Sequence, residues 1–251
     1  MRSAIVGHAT VAQAQVLIAE FFCGAARDRP PFPGRRVRLG ELVAVRHDYV
    51  DPRTLGTRAI DYIGLEAIEP DTGRLLGATR VAATAVRSRS RVFRAGDVLY
   101  GRLRPALNKV LAVPDALAHG ICSNEFIVLT PLAGAITPHL LARLLRLPTV
   151  RDALAGRTTG SALPRLQADS LLALEIPAIA PRLQQKLEQA LIAEESRWRD
   201  LRSLLAQYNG HLDAMLTRAI HDGRASRPAA ISAALTKLGK AERAMRARDG
   251  R

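Results

Sequence analysis

The spacing of apolar positions changes along this chain, and the changes divide it. Between residues 35 and 180 the apolar residues come in short β-prone runs bounded by turn signals. Tyr62–Ile68, Val98–Tyr100, Phe126–Leu129 and Leu171–Ile176 each predict a strand. Asp71-Thr72-Gly73 and Gly96-Asp97 predict turns. One segment here changes period: Leu140, Leu141, Leu144 and Leu145 recur at helical spacing, with His139, Arg143 and Arg146 on the other face. This predicts a core helix over 138–147 that Thr137 could cap.

Beyond Pro181 the pattern becomes a long series of three- and four-residue steps through Leu187, Leu191, Trp198, Leu201, Leu205, Tyr208, Leu212 and Met215. The steps predict a helix over 182–221 with a heptad seam. At 1.5 Å per residue it would be ~60 Å long, more than a domain of this size can cover, so the seam predicts packing on a partner helix. The expected fold class is α/β: a mixed α+β domain followed by a long C-terminal helix. The expected organisation is an N-terminal extension and linker at 1–34, a domain at 35–180, the helix at 181–221 and a basic tail at 222–251. Within the extension, Val11, Gln15, Leu17, Ile18, Phe21 and Phe22 suggest a short amphipathic helix, and Arg29 to Gly34 reads as a linker.

Charge adds a class of partner. Of 251 residues 37 are Lys or Arg and 23 are Asp or Glu, giving +14, which suits a polyanion. Only four of the cations are Lys, so the excess is an arginine excess, and a GC-rich genome would produce the same Arg/Ala bias. The residues after the long helix carry eight cations and three acids between 222 and 251, which suits a nonspecific DNA contact or a solvated tail. Two cysteines, Cys23 and Cys122, do not suggest a disulfide framework. The apolar stretch Val16–Cys23 is interrupted by Glu20 and too short for a membrane span, so a soluble cytoplasmic protein is expected.

Catalytic and cofactor signatures are missing. The chain has no GxxxxGK[ST] phosphate loop, no GxGxxG and no Asn/Asp-Pro-Pro-aromatic motif, so no cofactor is expected. Pro114-Asp115 and Glu125 trace a nuclease-like pattern, but Ile127 stands where such a site needs Lys. His119 and Cys122 have ligand-like spacing without a second pair; no metal is expected, and a buried structural Cys122 is the better reading.

The stretch at the centre of the domain is Phe93–Phe126. Arg102, Arg104, Asn108 and Lys109 follow the strand Val98–Tyr100 within a few residues, and Pro105 stops any ladder there. Gly96 to Lys109 resembles the "GD(I/L)L(Y/F)…RPYLNK" block of the target-recognition domain in type I restriction-modification specificity (S) subunits, with Ala106 where that family has Tyr. Four further blocks resemble the same family in the same order: Tyr62–Ile68, Cys122–Leu129, Thr159–Leu166, and Ile176 through Gln184. Five blocks in order, across roughly residues 35–220, make the resemblance specific. Only one set is present, which is similar to half of an S subunit.

The resemblance implies a non-catalytic DNA-specificity subunit that reads one half of a bipartite target. Its partners would be double-stranded DNA, a modification (methyltransferase) subunit with or without a restriction subunit, and a second copy or half-subunit packed on the long helix. Alternatives are a fragment of a fused restriction-methylation enzyme, or a DNA-, RNA- or protein-binding module of another anti-phage system. Candidate DNA contacts are Arg87, Arg89, Arg91, Arg102, Arg104, Asn108, Lys109, Arg157, Thr159, Ser161 and Arg165. The motif residues among them suit phosphate contact or scaffolding, since subunits with different targets share them. Base reading is expected from the loops Arg46–Arg58, Arg87–Arg91 and Arg157–Thr159.

Overall fold

The structure is a computed structural model that describes residues 34–222 other than 78 and 161, together with 236 and 240. The expected N-terminal helix, Cys23, Ser161 and nearly all of the basic tail lie outside the described residues. The chain divides into two compact units, one ending at Glu188 and the other starting at Gln189.

The first unit is mixed α/β. Its thirteen strands among the described residues are β1 (Arg36–Arg38), β2 (Val43–Val45), β3 (Tyr49–Val50), β4 (Ala59–Ile63), β5 (Arg80–Ala82), β6 (Ser90–Arg94), β7 (Val98–Gly101), β8 (Val110–Ala112), β9 (His119–Cys122), β10 (Phe126–Pro131), β11 (Thr158–Thr159), β12 (Arg165–Leu166) and β13 (Glu175–Pro177). Its helices are α1 (Pro138–Leu145), α2 (Pro148–Ala155) and α3 (Ala168–Leu172); α4 (Pro181–Asp222) starts here. Two larger sheets, ordered β2-β10-β7-β8 and β3-β6-β9-β4-β5, form the body. All their pairings are antiparallel except β4 with β9. β1 pairs with β13, so Val37 lies opposite Ile176 and the two ends of the domain are joined; Arg36 and Glu175 reinforce the join at 2.7 Å.

The predicted apolar runs supply the core. Val98–Tyr100 and Phe126–Leu129 became adjacent antiparallel strands, buried along their whole length because sheet residues pack on both faces. Ile63, Phe93, Leu99, Leu111, Cys122, Phe126 and Val128 form one buried cluster. Gly120 is required in it: a Cβ there would lie 2.5 Å from the Phe93 ring and 2.6 Å from the Asp61 carbonyl oxygen. Burial pushes the Cys122 thiol up to about 12, so it behaves as a packing residue.

Several local expectations need correction. The strand expected over Tyr62–Ile68 ends at Ile63, and Leu65–Ala67 turn as a 3-10 helix after Gly64. The run Leu171–Ile176 is the end of α3 followed by β13, not one strand. Apolar residues this few in number suit either period, and Leu171 is buried from the helix. The helix expected over 138–147 stops at Leu145, and Pro148 starts α2, where it takes the first-turn position that needs no N–H.

Thr137 occupies the cap position of α1 but makes no side-chain capping bond. The carboxylate of Glu188 does that work. It accepts from the backbone N–H of His139 (3.2 Å) and Leu140 (2.9 Å) and from His139 Nδ1 (2.8 Å). Burial alone would raise the Glu188 carboxyl; these hydrogen bonds, led by that from His139, outweigh it and hold the group at about 2.

In the second unit α4 continues to Asp222, as the spacing predicts. Leu191, Trp198, Leu201, Tyr208, Leu212 and Met215 are half-buried, while Leu205 is 43% and Ile192 47% exposed. Leu187, the first seam residue, is half-buried in the first unit. No helix among the described residues is long and apolar enough to cross a membrane.

Candidate nucleic-acid interface

Three motif blocks that are far apart in sequence meet beside the end of β7. The backbone N–H of Arg102 donates to the Glu125 carbonyl at 2.9 Å, and Leu166 N–H donates to the Arg102 carbonyl at 2.9 Å. Arg104 N–H donates to Pro164 O at 2.8 Å, and Leu103 bridges Arg165. The segment after β7 is thereby zipped to β12 on one side and to the turn before β10 on the other.

Side chains repeat the convergence. Arg165 grips Glu125 through Nε and a terminal nitrogen, the shortest contact 2.8 Å. This hydrogen bonding, outweighing partial burial and helped by the charges of Arg165 and Arg102, lowers the Glu125 carboxyl and raises Arg165. Arg102 donates to Gln167 Oε1 at 3.1 Å, and Gln167 in turn donates to Thr159 Oγ1 at 3.3 Å. Glu125 is therefore the partner of a structural arginine, and the nuclease-like trace has no support in the geometry around it.

Candidates placed in one group by sequence separate here into two. Asn108 is 6% exposed and holds left-handed backbone, φ +53°. Its amide donates to Asp71 Oδ1 (3.1 Å) and to Arg146 O (2.8 Å), closing the Pro105–Leu107 turn onto the end of α1. Lys109 donates to Leu65 O at 2.7 Å. Both side chains are used as scaffold, the second of the two roles expected for them. Arg104 differs. It is exposed, sits at φ +47°, and its guanidinium makes no hydrogen bond or ion pair among the described residues. A non-glycine residue held in that region is strained, and such strain gathers at functional positions.

The loops expected to read bases also need correction. Arg46 is unavailable: its Nε and a terminal nitrogen bind the buried Asp97 at 2.9 and 3.1 Å, and hydrogen bonding to Asp97 raises its affinity for the proton. Asp97 also accepts from Thr130 Oγ1 (2.7 Å) and Arg94 N–H (2.8 Å). Arg157 is half-buried, and burial lowers its pKa. Thr159 is exposed on β11. Arg87 and Arg89 are exposed. Arg91 is only 8% exposed, and its guanidinium carbon stands 4.7 Å from the centroid of Tyr49, with that of Arg89 at 4.5 Å.

Sequence reading missed Tyr49, Gln167 and the hub role of Asp97. A signal for the first existed. Arg87-Ser88-Arg89-Ser90-Arg91 alternates strictly, which puts the arginines on one face of an extended segment facing whatever pairs with it. Among the described residues no group of three or more His, Cys, Asp or Glu side chains is placed to hold a metal.

The fold is a mixed α/β domain and a long C-terminal helix, and Arg87, Arg89 and Arg104 are exposed on its loops. Comparison with known proteins gives the same class. The chain is similar to the type I restriction enzyme EcoDI specificity subunit of Escherichia coli, 28% identical over 193 residues that cover 70% of this chain and 42% of that protein. It matches the crystal structure of the HsdS subunit from Thermoanaerobacter tengcongensis with a TM-score of 0.56 and 25% identity, over 77% of this chain and 51% of that one. A chain from a type I R-M system, solved for its complex assembly and conformational transition, matches with a TM-score of 0.56 and 23% identity, over 79% and 52% respectively. No protein-family model matches. The resemblance read from the five motif blocks is thus borne out: this chain is similar to type I specificity subunits, and it spans about half the length of those it matches.

Proposed function

We propose that this chain acts as a half-length DNA-specificity subunit. Its mixed α/β domain docks on one half of a bipartite duplex target. The apolar stripe of α4 packs against a second copy, or a second half-subunit, and so sets the distance between two reading domains. A symmetric pair reads an inverted repeat, because protein two-fold symmetry maps onto the DNA. Methylation and ATP-dependent cleavage belong to modification and restriction subunits gathered on this frame.

The observation that carries the reading is the convergence of the motif blocks. Within these blocks Glu125 and Arg165 are spent on each other, and Asn108 and Lys109 on Asp71, Arg146 and Leu65 of the same domain, while Arg104 and the loop at 87–89 keep exposed arginines. That division, an internally bonded base carrying exposed cationic loops, suits a domain that docks on a polyanion.

The test is co-expression of the chain with a type I modification subunit encoded beside it, followed by mapping of methylated bases in the host DNA. A stable complex and methylation at one bipartite inverted-repeat sequence are expected. Methylation by the isolated chain would favour the fused-enzyme reading, and preference for RNA over duplex at equal salt would favour a different anti-phage module.

A further inference from the structure

Arg91 is in an unusual position. Its residue is nine-tenths buried, its Nε is sealed from solvent without a hydrogen-bond partner, and no carboxylate meets it among the described residues. Strand register lines up Tyr49, Arg91, Cys122 and Ile63 across β3, β6, β9 and β4, so the Arg91 stem lies at the margin of the apolar cluster. Arg89, two residues earlier, rests on the same Tyr49 ring and is exposed. The carboxylates nearest in sequence to Tyr49 and to the two arginines are already engaged: Asp48 with Arg46 at 3.4 Å, Asp51 with Arg53 at 2.7 Å, and Asp97 with Arg46 at 2.9 Å.

Among the described residues, two guanidinium groups therefore share one aromatic ring and neither forms an ion pair. A ring quadrupole attracts each cation but does not neutralise two. Desolvating a charge without pairing it is unfavourable, and buried charges are ordinarily paired. The arrangement becomes favourable when an anion arrives. Stacking fixes the planes of both forks beforehand, which reduces the side-chain order still to be imposed on binding. A guanine edge would accept hydrogen bonds from either fork but brings no negative charge; a phosphodiester brings both.

We propose that Tyr49, Arg89 and Arg91 form a phosphate subsite for the backbone of duplex DNA, in which the two arginines share one phosphate and Tyr49 holds them for it. The subsite rests on the DNA-binding reading above and names the part of the surface that positions the duplex without reading it. It sits at the β3 edge of the five-stranded sheet, where short strands leave the backbone of the duplex room to approach.

The experiment is duplex binding by the full chain, measured by fluorescence anisotropy over a salt series for wild type, Arg89→Gln, Arg91→Met and the double variant. One released phosphate contact lowers the slope of log K against log salt by about 0.9. The double variant is expected to lose that one increment and no more, each single variant to bind more weakly but to lose less than the whole increment because the remaining arginine still meets the phosphate, and every loss should be equal on unrelated sequences. Arg36→Gln, whose arginine is paired with Glu175, should keep the wild-type slope. Arg89 is exposed, so its variant tests the subsite even if Arg91→Met folds poorly. An unchanged slope in the double variant, a loss of two increments in it, unchanged affinity in both single variants, or losses confined to one sequence would overturn the subsite while leaving DNA binding intact. A wild-type chain that ignores duplex at low salt would instead overturn the DNA-binding reading, and the subsite with it.

Discussion

Arg46, just after β2, and Arg91, on β6, belong to different sheets, and both are largely withdrawn from water. Arg46 finds Asp97, with Thr130 completing the carboxylate's shell. Among the described residues Arg91 finds the face of Tyr49 and no carboxylate. The first is a finished internal contact; the second has capacity left over. A net charge of +14 counts the two alike. What separates arginines that hold the fold from arginines that meet a ligand is whether the fold has already supplied the anion.

The comparison breaks most visibly at Asp97. Asp97→Ala leaves Arg46 buried without its carboxylate and removes the acceptor for Thr130 and for Arg94 N–H. A loss of roughly 3–5 kcal/mol in urea unfolding is expected, the range for breaking one half of a buried pair. Arg91→Met should behave in the opposite way, with free-protein stability held or raised, since apolar substitution of an unpaired buried ion removes a desolvation cost. A large loss in Arg91→Met with little change in Asp97→Ala would invert the distinction.

Glu188 sharpens it from the acidic side. Here a carboxylate is completed by a helix terminus in place of an arginine. Glu188→Ala should cost roughly 1–2 kcal/mol, as for a lost cap. Because its folded pKa is depressed, from an ordinary 4.5 to about 2, the contribution is whole above pH ~4.5 and is lost as pH falls toward ~2. The melting curves of wild type and Glu188→Ala should therefore differ at neutral pH and converge in that acidic window. A difference that persists at the acid end would assign the effect to packing.

How much of this was legible beforehand depended on how local the cause was. The strands at 98–101 and 126–131 and the long helix are written in their own residues, as apolar runs and three-four steps. The five blocks marked where the chain would converge, since Arg102, Glu125 and Arg165 all lie within them. Long-range choices were not readable. Gly96-Asp97 reads as a turn, and nothing nearby shows that its carboxylate will collect Arg46 from the segment between β2 and β3. Thr137 is a sound cap by type, yet a carboxylate from α4 outcompetes it. Asn108 has the chemistry to read adenine, but its left-handed backbone and two internal acceptors turn it inward. The sequence supplies donors and charges; only the fold decides which of them are already taken.

Glu125 gives a smaller effect. Its pair with Arg165 is partly solvated, with side-chain exposures of 28% and 37%, so screening weakens it. Glu125→Gln should lower the melting temperature by about 1–3 °C. Its second consequence is electrostatic: it frees Arg165 beside Arg102 and Arg104 and should raise duplex affinity at low salt. A fall in affinity would mean that the pair orders a contact and does not merely mask one.

The smallest stability effect belongs to Arg104, which is why it is informative. Left-handed backbone costs a non-glycine residue roughly 1–2 kcal/mol, and glycine escapes that cost while losing more chain entropy on folding. The two terms nearly cancel, so Arg104→Gly should leave stability within about 1 kcal/mol of wild type, on the favourable side if strain dominates. Among the described residues its exposed side chain has no partner to lose. Duplex binding should nevertheless weaken, with the salt slope reduced by about 0.9, one phosphate. A strained position that could be relaxed by one substitution, and is nonetheless occupied by a free cation, is explained if the cation is needed by something outside the chain. Arg104→Gly that binds duplex with the wild-type slope would remove that explanation and leave the strained turn as a matter of folding alone.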